Sequence, residues 1–81
     1  LRSRRLLVDF VDARIYWHSL RVRILGALMF QPASAVQLAG RLAQPLSKIV
    51  YHTTILCNTG YARLAEGQDP DALDPVYEAV H

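Results

Sequence analysis

The sequence predicts a mainly α domain closed by a small β-hairpin, and three observations predict it. Apolar residues recur at helical spacing from Arg5 to Asn58. Short Pro- and Gly-containing breaks interrupt that pattern, and the last twenty residues alternate around a polar loop instead. The chain has 81 residues, of which 52% are hydrophobic. That supports one small core, a single domain over 1–81, and argues against disorder. No apolar run approaches the roughly 18 residues that a membrane span needs. Cys57 is the only cysteine, so no intrachain disulfide can form, and a cytoplasmic setting is the default expectation. A start at Leu1 rather than Met points to a fragment or a trimmed product.

Leu6, Leu7, Phe10, Val11 and Trp17 fall on one stripe of a first helix, from about Arg5 to Trp17. Leu20, Ile24, Leu25 and Leu28 define a second helix that ends near Phe30, before Gln31-Pro32. Ser34-Ala-Val-Gln37 has the spacing of a capping box, in which the serine hydroxyl serves the N–H three residues on and the glutamine reaches back. It opens a third helix through Leu38, Ala39 and Leu42. Ala43-Gln44-Pro45 is a break, with Pro45 either just outside the next helix or at its first position. A fourth helix runs from about Leu46 to Asn58 and stops at Gly60, which tolerates the left-handed conformation of a helix end. Tyr61–Glu66 and Pro75–Val80 then read as two strands of a hairpin around the polar loop Gly67–Asp74.

Four helices followed by a two-stranded wing, with two short helices joined by a tight turn over about 34–59 and the wing over about 61–80, is the arrangement of a winged helix-turn-helix. The residues also carry a family resemblance. His18 to Leu28, Ser34 to Ala39, Pro45 to His52, Leu56 and Gly60 to Leu64 resemble the DNA-binding domain of ArsR-type transcriptional regulators, over about residues 13–80. The resemblance implies that the fourth helix is a recognition helix and the hairpin a wing.

The fourth helix supports that role on its own geometry. At about 100° per residue, Ile49, Thr53, Leu56 and His52 cluster on one side and are expected to face the core. Ser47, Val50, Tyr51, Thr54 and Asn58 lie on the opposite side, where short polar groups and a tyrosine can meet base edges, and Val50 can touch a thymine methyl. Lys48 lies at the flank and suits a phosphate, as do the free N–H groups near Leu46 to Lys48. Arg41 and Arg63 complete the candidate DNA contacts, and Arg21, Arg23 and the cluster Arg2, Arg4 and Arg5 can add attraction to the backbone. Each also has an ordinary reading: a solvated face, Tyr51 packed on the wing, His52 as a hydrogen-bonded core residue.

Charge is divided along the chain. Residues 1–65 sum to +7 and residues 66–81 to −5, because Glu66, Asp69, Asp71, Asp74 and Glu78 are accompanied by no base. A wing that is acidic would be repelled by phosphate. Either its tip stays away from DNA, with Arg63 as its only plausible contact, or the hairpin serves a protein partner. Double-stranded DNA is therefore the expected partner, and a protein-interaction module using the acidic hairpin is the alternative. A homodimer is expected through the first helix, at Leu6, Phe10, Tyr16 and Trp17, so that a two-fold protein reads a two-fold site.

No cofactor or metal is expected. ArsR-type sensors often carry a cysteine pair in the helix before the recognition helix, or His and acidic ligands in a C-terminal helix, and this sequence has neither set. His52 and Cys57 stand about 140° apart on their helix and cannot converge on one ion without ligands from another element. Cys57 reads as a small packed hydrophobe. No nucleophile–base pair, paired carboxylates or glycine-rich phosphate loop is present, so an enzyme is not expected.

Overall fold

The computed structural model describes residues 19–81. The first expected helix, with Leu6, Phe10, Tyr16 and Trp17 and the cluster Arg2, Arg4 and Arg5, lies outside the described residues. Three helices and three strands follow among them. Helix α1 covers 19–30. Strand β1 is Ala33–Ser34, α2 is Ala35–Leu42, α3 is Leu46–Asn58, β2 is Ala62–Leu64 and β3 is Val76–Ala79. The expected count of four helices thus stands at three among the described residues.

The amphipathic pattern of α1 buries Leu20, Ile24 and Leu28, spaced by four, against the rest of the domain. The capping box forms as read: the Gln37 N–H donates to Ser34 Oγ at 3.2 Å and the Ser34 N–H to Gln37 Oε1 at 2.9 Å. Two orphan donors of α2 are thereby satisfied.

The turn into α3 departs from the usual chemistry. Ala43, not a glycine, closes α2 in the left-handed conformation at φ 54°, ψ 49°. Its N–H and that of Gln44 both return to the Ala39 carbonyl. Pro45 sits just outside α3, and its carbonyl accepts from Lys48 and Ile49, which starts the helix without a side-chain cap. At the far end Gly60 takes φ 85°, and the Tyr61 N–H turns back to the Leu56 carbonyl.

The sheet is a correction to the expected two-stranded wing. It has three antiparallel strands in the order β1-β3-β2. Ala33 and Ser34 pair with Tyr77 and Val76, so the chain entering α2 is stitched to the last strand. Two residues carry no readable period, and Ser34 is at once a strand residue and the extended cap of α2, at φ −84°, ψ 165°.

In the β2–β3 ladder Ala62 faces Ala79, Arg63 faces Glu78 and Leu64 faces Tyr77. The period of two puts Ala62, Leu64, Tyr77 and Ala79 toward α3 and turns the Arg63–Glu78 pair to the other face. The core is one cluster in which Ile24, Leu28, Leu38, Ile49 and Leu56 meet the small residues Ala33, Ala35, Ala62 and Ala79. The alanines let the sheet and helices approach closely.

Candidate nucleic-acid interface

Helix α3 divides as its periodicity requires. Ile49, His52, Thr53 and Leu56 are buried. Ser47, Val50, Tyr51, Thr54 and Asn58, the face the sequence predicts, are all exposed, and so is Lys48 at its flank. Val50 is 46% exposed and Tyr51 50%, although both are apolar enough to favour burial. Leu46, expected only as the first residue of the helix, also belongs to this face at 46% exposure. The same angular arithmetic places it four residues before Val50 and on the same side.

The inner side is tied to α1 by a polar contact. His52, only 1% exposed, accepts at Nδ1 from Arg21 Nε at 3.0 Å. An arginine does not give up its proton, so His52 Nδ1 must be bare and the neutral ring carries its proton on Nε2. Burial holds the His52 pKa below its ordinary value, and the charges of Arg21 and then Lys48 push it the same way. Tyr51 stands edge-on to the same ring, with centroids 5.2 Å apart and planes at 74°. The histidine is therefore a packed residue that accepts a hydrogen bond, and Arg21 has a partner within the fold.

Around α3 the candidate cations divide. Arg41 is exposed in the last turn of α2, where a positive charge also suits the helix dipole. Arg23 donates to the Leu42 carbonyl at 3.4 Å, at the same end of that helix. Arg63 is exposed on β2 but meets Glu78 at 3.3 Å across the strands, on the face turned from the core. At that exposure the ion pair contributes only about 0–1 kcal/mol. Its main effect is local neutralisation of the wing cation.

The acids of the wing are partly gathered in. Asp74 Oδ1 accepts from the Val36 N–H at 3.4 Å, at the positive start of α2. Asp69 Oδ1 accepts from the Asp71 N–H at 2.9 Å, which tightens the loop. Between them Leu73 stands fully exposed.

An open groove of about 460 Å³ runs along α3 and the wing, lined by Thr54, Cys57, Leu64, Pro70 and Tyr77 among others. Burial raises the Cys57 pKa, so its thiol stays protonated and packs as a small hydrophobe. Tyr77 is raised too, by burial first, then by Cys57 and Asp74. Among the described residues no group of three His, Cys, Asp or Glu side chains could hold a metal ion, and no helix is long and apolar enough to cross a membrane.

Two helices joined by a three-residue turn, the second presenting an acid-free exposed face beside a β-wing, define a winged helix-turn-helix domain. Among solved structures the chain is similar to reduced HlyU from Vibrio cholerae N16961, with a TM-score of 0.64 at 18% identity, over 100% of this chain and 83% of that one. At that identity the likeness is one of fold. No protein-family model matches the chain, and no curated protein matches it.

Proposed function

We propose that this domain binds double-stranded DNA in a sequence-specific manner as a transcriptional regulator of the ArsR-like kind, a repressor acting as a homodimer, with α3 in the major groove. The observation that carries the reading is the outer face of α3. Ser47, Val50, Tyr51, Thr54 and Asn58 are exposed together, and no acid occurs in either α2 or α3. Lys48 flanks that face and Arg41 is exposed in the last turn of α2, both suited to phosphates, and the start of α3 offers N–H groups with no acidic residue in its first turn. Arg63 is the wing's candidate for the backbone and would have to leave Glu78 to serve there. The first helix, with Leu6, Phe10, Tyr16 and Trp17, is the proposed dimer surface.

Selection of bound duplexes from a random pool, followed by anisotropy titrations at several salt concentrations, tests this. Selected sites should be bound with a clear preference over random duplex and with affinity that falls as salt rises. Tyr51→Ala should relax the preference, and Lys48→Ala should weaken all sequences alike and flatten the salt slope. No binding at low salt, or equal binding to every sequence, refutes the reading.

One observation favours a second reading. Leu73 is fully exposed in a loop that also carries Glu66, Asp69, Asp71 and Asp74, a surface that suits a basic protein partner better than phosphate. A domain of that kind would show no DNA affinity and would lose its partner on Leu73→Asp.

A further inference from the structure

We infer that α3 reads thymine through its C5-methyl group, using the ridge Leu46–Val50–Thr54; the inference rests on the DNA-binding reading above and specifies what that site recognises. The three residues are spaced by four and line one side of the helix. Leu46 and Val50 are each 46% exposed, and Thr54 is exposed beside them. The Thr54 hydroxyl is already committed: it donates to the Val50 carbonyl at 2.8 Å. With its proton so engaged, Thr54 offers outward its methyl group and an acceptor lone pair, so the ridge is mainly methyl-bearing and presents no hydrogen-bond donor.

The rest of the helix narrows the chemistry further. The sequence Leu46–Asn58 contains no arginine, aspartate or glutamate. The arginine contact to guanine and the carboxylate contact to the cytosine amine are therefore unavailable to α3; Lys48 at the flank and Asn58 in the last turn are polar readers outside the ridge, and along the ridge itself contact with the thymine methyl is what the side chains offer. Charge complementarity brings the ridge to DNA rather than to another apolar surface, since α2 and α3 carry Arg41 and Lys48 and no acid. In the major groove the thymine methyl is the apolar feature of the base-pair edges, and a row of methyl-bearing side chains matches it.

Deoxyuridine differs from thymidine by that methyl alone, which makes it the probe. A duplex obtained by selection is rebuilt with each thymine replaced singly by deoxyuridine, and binding is measured by anisotropy. At least one replacement in each half-site should weaken binding by about fourfold, the factor that burial of one methyl-sized group supplies. The triple variant Leu46→Gln/Val50→Ser/Thr54→Ser, shown to be folded by circular dichroism and thermal melting, should bind thymidine and deoxyuridine duplexes equally. Specific binding that is indifferent to every deoxyuridine replacement overturns this inference and leaves the DNA-binding reading standing. Retention of the fourfold difference by the folded triple variant also overturns it. Failure of the natural chain to bind any duplex refutes the DNA-binding reading and this inference together.

Discussion

Replacing Thr53 by valine should stabilise the fold, and the structure says by how much. Thr53 lies on the inner side of α3, 2% exposed, and its Oγ1 has no hydrogen-bond partner. A hydroxyl buried without a partner costs about 1–3 kcal/mol relative to its hydrated state. Valine has nearly the same shape, puts a methyl where the hydroxyl was, and is equally β-branched, so the helix preference scarcely changes. The expected gain is about 1–2 kcal/mol, or roughly 4–8 °C in Tm for each kcal/mol in a domain of this size. Thermal and urea denaturation followed by circular dichroism measure it, and an unchanged urea slope shows that the same surface unfolds. Thr53→Ser, which keeps the hydroxyl and deletes the methyl, should melt below the natural chain. A Thr53→Val protein that melts at or below the natural chain refutes the reasoning, because the hydroxyl must then be satisfied in the folded state.

Three further outcomes are expected. Protonation of His52 is disfavoured in the fold, so its folded pKa lies below the ordinary 6.5; as pH falls past about 6.5 the unfolded chain takes up the proton first and stability declines toward the folded pKa. His52→Asn, which keeps an acceptor near Nδ1 for Arg21, should remove that part of the decline when urea midpoints at pH 7 and pH 5 are compared; an unchanged difference contradicts the assignment. Ser34→Ala deletes the acceptor for the Gln37 N–H and should cost about 0.5–2 kcal/mol in chemical denaturation. Ala43→Gly should stabilise the domain by up to about 1 kcal/mol, because alanine in the left-handed region is strained and glycine is not, as measured by Tm.

The charge division visible in the sequence acquires a spatial meaning from the fold. Five of the seven acids lie in the last sixteen residues, but their placement differs one from another. Asp74 is drawn to the start of α2, Glu78 to Arg63, and Asp69 closes a local turn. The wing therefore remains net negative, and the charges that are paired or capped only soften its repulsion from a phosphate backbone. Under the proposed function, base reading falls to α3 and backbone attraction to Arg41 and Lys48.

What the sequence determined by itself is what depends on near neighbours. The span Leu46–Asn58, the capping box at Ser34 and Gln37, the stop at Gly60 and the division of α3 into a buried and an exposed face all follow from spacings within a turn or two. A helix of period 3.6 leaves little choice about which side each residue takes. Tertiary structure alone decided the rest. Ala33 and Ser34 become a strand because Val76 and Tyr77 arrive alongside, more than forty residues later. Ala43 takes a conformation normally left to glycine because the packing of α2 against α3 demands a tight corner there. Arg21 reaches His52 across thirty-one positions, and Thr53 is left without a partner by the groups that happen to surround it. These features are set by contacts between distant segments, whose identities a local pattern does not contain.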